Sequence, residues 1–305
     1  MVEPVEKVWM DGRLVPWAEA TVHVLTHTLH YGLGAFEGIR CYRLEDGRSA
    51  IFRLHDHIDR LLASCHIVTI PVPYDRETLL SACLETVRVN RLDECYVRPI
   101  VFLGDGPMGL GASPPTRVAV VVWRWGAYLG ARAVEDGIRA KVSSFQRPGV
   151  NQLMAKGKVV GHYVNSILAK REALRAGYQE AILLDGHGLV SEGSGENIFV
   201  VHRGRLLTPP PGSAILGGIT RDTVMTLARR MGIEVEERAI ARDELYAADE
   251  VFLCGTAAEI TPVVEIDDRR IGAGMRGPLT HRIQQRYFDV VRGRDVPEPG
   301  WLAVV

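Results

Sequence analysis

Helical apolar spacing and strand-like runs alternate in blocks along this chain, and that order constrains its fold more than any other feature. VWMDGRLV (8–15) reads as a hairpin turning at Asp11-Gly12. FRLHDHIDRLLASC (52–65) and ETLLSACLETVRVN (77–90) carry the 3.6-residue apolar period of helices. CYVRPIVFL (95–103) and RVAVVVWRW (117–125) are strand-like. A connector, WGAYLGARAVEDG, leads to a second series. There IRAKVSSF, EAILLD, NIFVVHRGRLL and DEVFLCG are strands, the third turning at Arg203-Gly204, and NSILAKREALRAG, RDTVMTLARRMG and HRIQQRYFDVVRG are helices. Both halves are α+β. At 305 residues the chain exceeds the usual domain of about 100–200 residues, so two domains are expected. The expected division is a smaller N-terminal domain over 1–125, a connector over 126–136 and a larger C-terminal domain over 137–305.

Charge excludes several classes of partner. Thirty-six Lys and Arg balance 37 Asp and Glu, a net charge of −1. No basic surplus points to nucleic acid and no charge block to a membrane surface. No apolar run is long enough to span a bilayer, and the N-terminus has no signal-peptide core, so a cytoplasmic location is expected. Cys41, Cys65, Cys83, Cys95 and Cys254 are scattered without a CxxC pair, the pattern of buried free thiols in a reducing compartment. No metal site is expected. His23, His27 and His30 cluster, and His55 alternates with His57, but neither set carries the thiols or carboxylates typical of zinc. GDGPMG (104–109) fits GxGxxG after a strand, but Pro107 and the following GLGASPPT are loop chemistry, so a mobile loop is expected instead of a dinucleotide site.

Lysine is scarce. The chain has only Lys7, Lys141, Lys156, Lys158 and Lys170, so chemistry that needs an amine nucleophile has few candidates. Lys7 and Lys141 fall in strands and Lys170 on a solvated helix face. Lys156 and Lys158, in MAKGKVVGHY, lie beside small and apolar residues that can desolvate an amine and lower its pKa. The context does not separate the two. Three further segments stand out. SEGSGENIF (191–199) sets Glu192 and Glu196 among glycines that allow close backbone approach. LGGITRDTVMTLARRMG (216–232) opens a helix, with Thr220 or a neighbour as cap and anion-binding amides at Ile219 and Thr220. CGTAAEIT (254–261) offers a hydroxyl and amides after a buried strand. Alone, the first segment reads equally well as a plain turn, and the other two read better as an ordinary capped helix and a simple strand–helix connection.

Taken together and in order, these segments resemble the class IV aminotransferases, the fold-type IV enzymes of pyridoxal 5'-phosphate (PLP), most closely their branched-chain amino acid group. The resemblance runs from HYGLGAFEGIRCY (30–42), HIDRLLASC and YVRPIVF through KVVGHYVNS, GYQEAILLD and GGITRD to DEVFLCGTAAEITPV. It implies a D-amino-acid aminotransferase-like α+β fold, with a small α/β N-terminal domain and a C-terminal domain built on a β-barrel-like core. It also implies roles. Lys158, five residues before Tyr163, would hold the cofactor as a Schiff base and shuttle the Cα proton. Tyr163 would meet the phenolate oxygen and Glu192 the ring nitrogen, keeping the ring an electron sink. Arg60, Ile219, Thr220 and Thr256 would hold the phosphate. Thr256 and Ala257 would also meet the substrate α-carboxylate. Phe36, Trp125 and Tyr163 would wall an apolar pocket, and Tyr31, Tyr96, Arg98 and Tyr128 would reach the distal carboxylate of glutamate.

The implied reaction moves the amino group of L-leucine, L-isoleucine or L-valine to 2-oxoglutarate in a ping-pong cycle. Amino acids and 2-oxo acids are the implied small-molecule partners, with at least a homodimer in which GDGPMGLG reaches the second subunit. D-amino-acid aminotransferases, (R)-amine transaminases and aminodeoxychorismate lyase share the fold, and a PLP-binding protein without catalysis is the non-enzyme alternative. Tyr-Val-Arg-Pro at 96–99 and Gly-Thr-Ala-Ala-Glu at 255–259 favour the branched-chain group. Gly217, His162 and Lys156 depart from the commonest form of the motifs.

Overall fold

The computed structural model describes every residue except Met1, Ala127, Tyr128, Ala131 and Pro297. The chain forms two compact units. The first holds the residues up to Trp125 together with Gly157–His162 and Asp289–Val305, and the second holds Gly126–Lys156 and Tyr163–Phe288.

In the first unit, β1 (Lys7–Met10) and β2 (Arg13–Pro16) form the expected hairpin. Asp11 and Gly12 adopt φ of 48° and 91°, the left-handed pair that matches the twist of its strands. There follow α1 (His27–Tyr31), β3 (Gly34–Phe36), β4 (Ile39–Arg43) and β5 (Ser49–Phe52). Helices α2 (Leu54–Ile67) and α3 (Arg76–Val89) precede β6 (Cys95–Leu103) and β7 (Thr116–Trp123). The C-terminal strand Leu302–Val304 pairs with β5 and begins the sheet order, which continues β4-β6-β7-β1-β2, with β3 also on β6. All its pairs are antiparallel, so helices and strands are segregated and this unit is α+β in detail, not α/β. Ile58, Leu61 and Cys65 of α2 and Leu79, Cys83 and Val87 of α3 pack with Ile39, Ile51, Val97 and Val120 into one core. GDGPMG falls in the loop joining antiparallel β6 and β7 and opens no helix, which removes the dinucleotide reading.

The second unit contains α4 (Ala133–Asp136), β8 (Ile138–Gln146), α5 (Tyr163–Arg175), β9 (Glu180–Leu184), β10 (Val190–Gly193), β11 (Asn197–His202) and β12 (Arg205–Thr208). It continues with α6 (Ile219–Arg230), β13 (Val235–Glu237), α7 (Arg242–Tyr246), β14 (Glu250–Gly255), β15 (Glu259–Ile266) and α8 (Pro278–Val291). Its sheet, ordered β10-β9-β8-β15-β14-β11-β12-β13, curls as a half-barrel. Ile182, Ile198, Val200, Leu253 and Val263 form the core of its strands.

The expected ranges are 1–125, a connector over 126–136 and 137–305; in this division Gly126–Lys156 falls in the second unit. Beyond it, Gly157–His162 and Asp289–Val305 belong to the first unit, because pairing partners far apart in sequence claim them. The bridge Ala35–Val159 anchors the former and the Leu302–Phe52 pair the latter.

Candidate active site

The first unit sets Lys158 by its backbone. Its N–H donates to Ser64 Oγ at 2.9 Å, and its carbonyl accepts from Phe36 N–H at 3.1 Å. Gly161 N–H donates to Gly32 O at 2.9 Å, and a Cβ on Gly161 would meet that oxygen at a tight 3.2 Å, so a larger residue would have to push the two segments apart by a few tenths of an ångström. Ser64 Oγ also donates to the carbonyl of Arg60 at 2.8 Å, which ties α2 to the Lys158 segment. Lys158 Nζ stands 5.2 Å from the centre of the Phe36 ring.

A second cation lies against that same ring. The Arg98 guanidinium is 4.7 Å from the Phe36 centroid, 5.3 Å from Tyr96 and 5.6 Å from Trp123. Trp125 meets Tyr96 edge-on at 4.5 Å. Arg98 Nε is buried and makes no hydrogen bond, and no carboxylate among the described residues pairs with the side chain. The internal ion pair that would make Arg98 a merely structural residue is therefore not formed. Trp123 was not singled out in the sequence, although Tyr96 lies opposite it in the β6–β7 register and alternation puts it on the face of Trp125. Tyr31 is brought against His27 and His30 rather than Arg98, at ring distances of 4.5 and 6.3 Å. Tyr128 lies outside the described residues.

Arg60 is held by a group that sequence reasoning missed. Its Nε and Nη2 donate to the two oxygens of Glu37 at 2.6 and 2.9 Å, a bidentate fork that fixes the guanidinium plane. His57 Nδ1 meets Glu37 at 2.7 Å. Burial alone would raise the Glu37 pKa, but the charges and hydrogen bonds of Arg60 and His57 hold it well below the usual carboxylate range. Burial lowers the His57 pKa against the pull of Glu37, and the charges of Arg60 and Lys158 lower it further. His57, expected to be structural, is the inner support of an arginine. The only signal for Glu37 was its place in HYGLGAFEGIR.

In the second unit Asn197 is the hub. Its Nδ2 donates to Glu192 Oε2 at 3.1 Å and to Leu216 O at 2.9 Å, while Glu192 Oε2 also accepts from Leu216 N–H at 3.0 Å. Asn197 pairs with Cys254 across β11 and β14. Glu192, the turn before α6 and the Gly255–Glu259 turn therefore meet at one end of the sheet. That last turn joins antiparallel β14 and β15, so Thr256 and Ala257 sit in a hairpin loop, not a strand–helix connection. The N-cap of α6 is Gly218, with no side-chain cap; Thr220 lies inside the first turn, not at the cap. Ile219 and Thr220 are buried there, and first-turn amides are the groups a phosphate accepts. Tyr163 begins α5 and is half-buried.

Lys156 has a different setting from Lys158. It belongs to the second unit, and its ammonium donates to Pro211 O at 2.5 Å and Ile215 O at 2.8 Å, in the loop before α6. Glu196 is buried, and burial followed by the charge of Glu180 pushes its pKa up to about 8.

These features define an α+β protein with a lysine beside an aromatic-lined arginine, a buried glutamate and a helix N-terminus without a side-chain cap. The family profile of the amino-transferases of class IV matches residues 34–266, and the chain belongs to that family. Within it, the chain is 49% identical over 299 residues to the branched-chain-amino-acid aminotransferase of Pseudomonas aeruginosa, covering 98% of this chain and 97% of that one. It superposes on the Escherichia coli branched-chain amino acid aminotransferase with a TM-score of 0.95 at 46% identity, over 98% and 99% of the two chains. The branched-chain amino acid aminotransferase of Thermobaculum terrenum in its PLP form gives a TM-score of 0.92 at 37% identity, over 99% of each chain.

Proposed function

We propose that this chain is a PLP-dependent branched-chain amino acid aminotransferase that exchanges the amino group of L-leucine, L-isoleucine or L-valine with 2-oxoglutarate. The residues fit the cofactor by the chemistry of the donor set: a lysine amine, a buried carboxylate and a helix N-terminus without a side-chain cap. PLP, when bound, supplies an aldehyde that links to amines and a ring that draws electrons from the substrate Cα. Lys158 would hold the cofactor through Nζ, and the same amine, when free, would take the proton at the substrate Cα. Glu192 meets the ring nitrogen and Tyr163 the phenolate oxygen. Arg60, Thr256 and the first-turn amides at Ile219 and Thr220 bind the phosphate. Thr256 and Ala257 orient the α-carboxylate.

The observation that carries the substrate assignment is Arg98. A guanidinium packed among Phe36, Tyr96 and Trp123 with a buried, unpartnered Nε is costly until an anion joins it. The same rings, with Trp125, give an aliphatic side chain apolar walls. One pocket thus serves leucine and glutamate in turn. Arg98→Met should raise the KM for 2-oxoglutarate about 10–100-fold, the cost of one charge-assisted bond, and leave that for L-leucine within about threefold. L-Leucine should bleach the visible band of the purified holoenzyme. Bleaching by D-alanine alone would sink the assignment in favour of the D-amino-acid branch.

The protein acts in the cytoplasm as a homodimer. Supporting the dimer, Val24, Leu25, Leu29 and Leu110 are 71, 47, 64 and 91% exposed. They lie on two segments joined by His27, whose Nε2 meets Gly109 O at 3.0 Å. Such apolar surface marks an interaction site.

A further inference from the structure

Glu192 has a partner that the roles above do not use. Arg147, just after β8, places Nη2 2.9 Å from Glu192 Oε1, with the two side chains 11% and 8% exposed. Its backbone N–H donates to Leu184 O at 2.8 Å, which fixes the residue against β9. Its Nε is buried without a hydrogen bond. A guanidinium used only for packing would not need to bury a donor unpaired, because such a group costs about 1–3 kcal/mol. Asn197 and the Leu216 amide hold the other oxygen of the same carboxylate. Lys156 adds positive charge near Glu192, and buried Glu196 adds a carboxyl.

We propose that Arg147 is a positioning residue for the aminotransferase reaction, orienting Glu192 and keeping it anionic so that the proton between Glu192 and the cofactor's ring nitrogen stays on the nitrogen. This rests on the assignment of Glu192 to the ring nitrogen made above. A carboxylate opposite a pyridine nitrogen helps only while the nitrogen keeps the proton. A permanent cation on the carboxylate's other side lowers its proton affinity. Arginine suits the task because it does not deprotonate in proteins, whereas lysine or histidine could exchange the proton themselves. Arg147 and Asn197 thus divide the work: one sets the charge of Oε1, and the other ties Oε2 to the turn that opens α6.

The test uses the full-chain holoenzyme with Arg147→Met, Arg147→Lys and, for reference, Glu192→Gln. Four quantities are measured: the pH midpoint of the lysine-linked cofactor's visible band, the PLP dissociation constant by equilibrium dialysis, and kcat and KM for L-leucine at saturating PLP. For Arg147→Met, kcat should fall about 10–100-fold, the usual cost of losing an outer partner of an active-site ligand, with KM within about threefold. The band's pH midpoint should move upward, because a ring nitrogen that has lost its proton withdraws less density from the lysine nitrogen. Arg147→Lys should recover part of both effects, and it supplies the reading should the methionine variant fail to fold. If Arg147→Met only lowers the melting temperature or PLP occupancy, with kcat per bound PLP and the pH midpoint unchanged, Arg147 is structural and the proposal is overturned. Were Glu192→Gln itself to leave kcat and spectrum unchanged, the ring-nitrogen assignment would fall, and the role of Arg147 with it.

Discussion

Lys156 and Lys158 stand two positions apart in the sequence and have unlike environments. The Lys156 ammonium donates to Pro211 O and Ile215 O, while Lys158 Nζ lies over Phe36 in the other unit. Borohydride reduction of the holoenzyme followed by peptide mapping should place the phosphopyridoxyl label on Lys158. Lys158→Ala should lose the label and at least about 10²–10⁴-fold in kcat, the worth of a positioned acid–base group. Lys156→Met should keep the label, and a label on Lys156 in the native protein would overturn the assignment. Glu196 supports a second prediction. Its pKa is raised from 4.5 to about 8 by burial and Glu180, so the folded state binds a proton that the unfolded state releases. The stability it contributes is complete below pH 4.5 and is lost as pH rises through about 8. Glu196→Gln should flatten the fall in melting temperature between about pH 4.5 and 8; a parallel fall in both proteins would refute the raised value. Glu192 and Glu196 were visible together as SEGSGENIF, but their unlike surroundings, with Arg147 beside the first and Glu180 near the second, are supplied only by folding.

At the scale of elements, local signals were read well where the backbone needs a special conformation. The Asp11-Gly12 and Arg203-Gly204 turns stand as hairpins, with Arg203 and Gly204 at φ of 51° and 76°. The start of α6 was read with Thr220 or a neighbour as cap; the cap is Gly218, which caps with backbone alone while Asn197 supplies the order from another strand. A Cβ on Gly218 would lie 1.9 Å from Asn197 Oδ1, and Asn197 is bound to both Glu192 and Leu216. Gly218→Ala should therefore cost about 1–3 kcal/mol of apoenzyme stability, the usual penalty of overpacking, and weaken PLP binding measured by equilibrium dialysis. Unchanged melting and affinity would mean that the α6 turn tolerates displacement. The CGTAAEIT segment follows a buried strand as expected, and its turn is a hairpin. Its glycine and alanines suit either connection, and the antiparallel β14–β15 register decided between them.

For the whole molecule, the two α+β units were foreseeable, but their membership was not. The chain enters the first unit three times, at its start, at Gly157–His162 and at Asp289–Val305. The exposed Leu29 and Leu110 belong to the proposed dimer face, so Leu29→Asp combined with Leu110→Asp should yield monomers by light scattering and loss of most activity. A native protein that is monomeric and fully active at micromolar concentration would refute that interface. From the sequence alone came the alternation of elements, the scarcity of lysine and an ordered set of motifs, whose resemblance to the class IV aminotransferases implied the chemistry. These are properties of local spacing, which a linear chain displays directly. Only the tertiary structure surrounded Arg98 with three rings, clasped Arg60 with Glu37 and His57, and set Arg147 behind Glu192. Each of those arrangements joins residues remote in sequence, where charge and burial are set by neighbours in space.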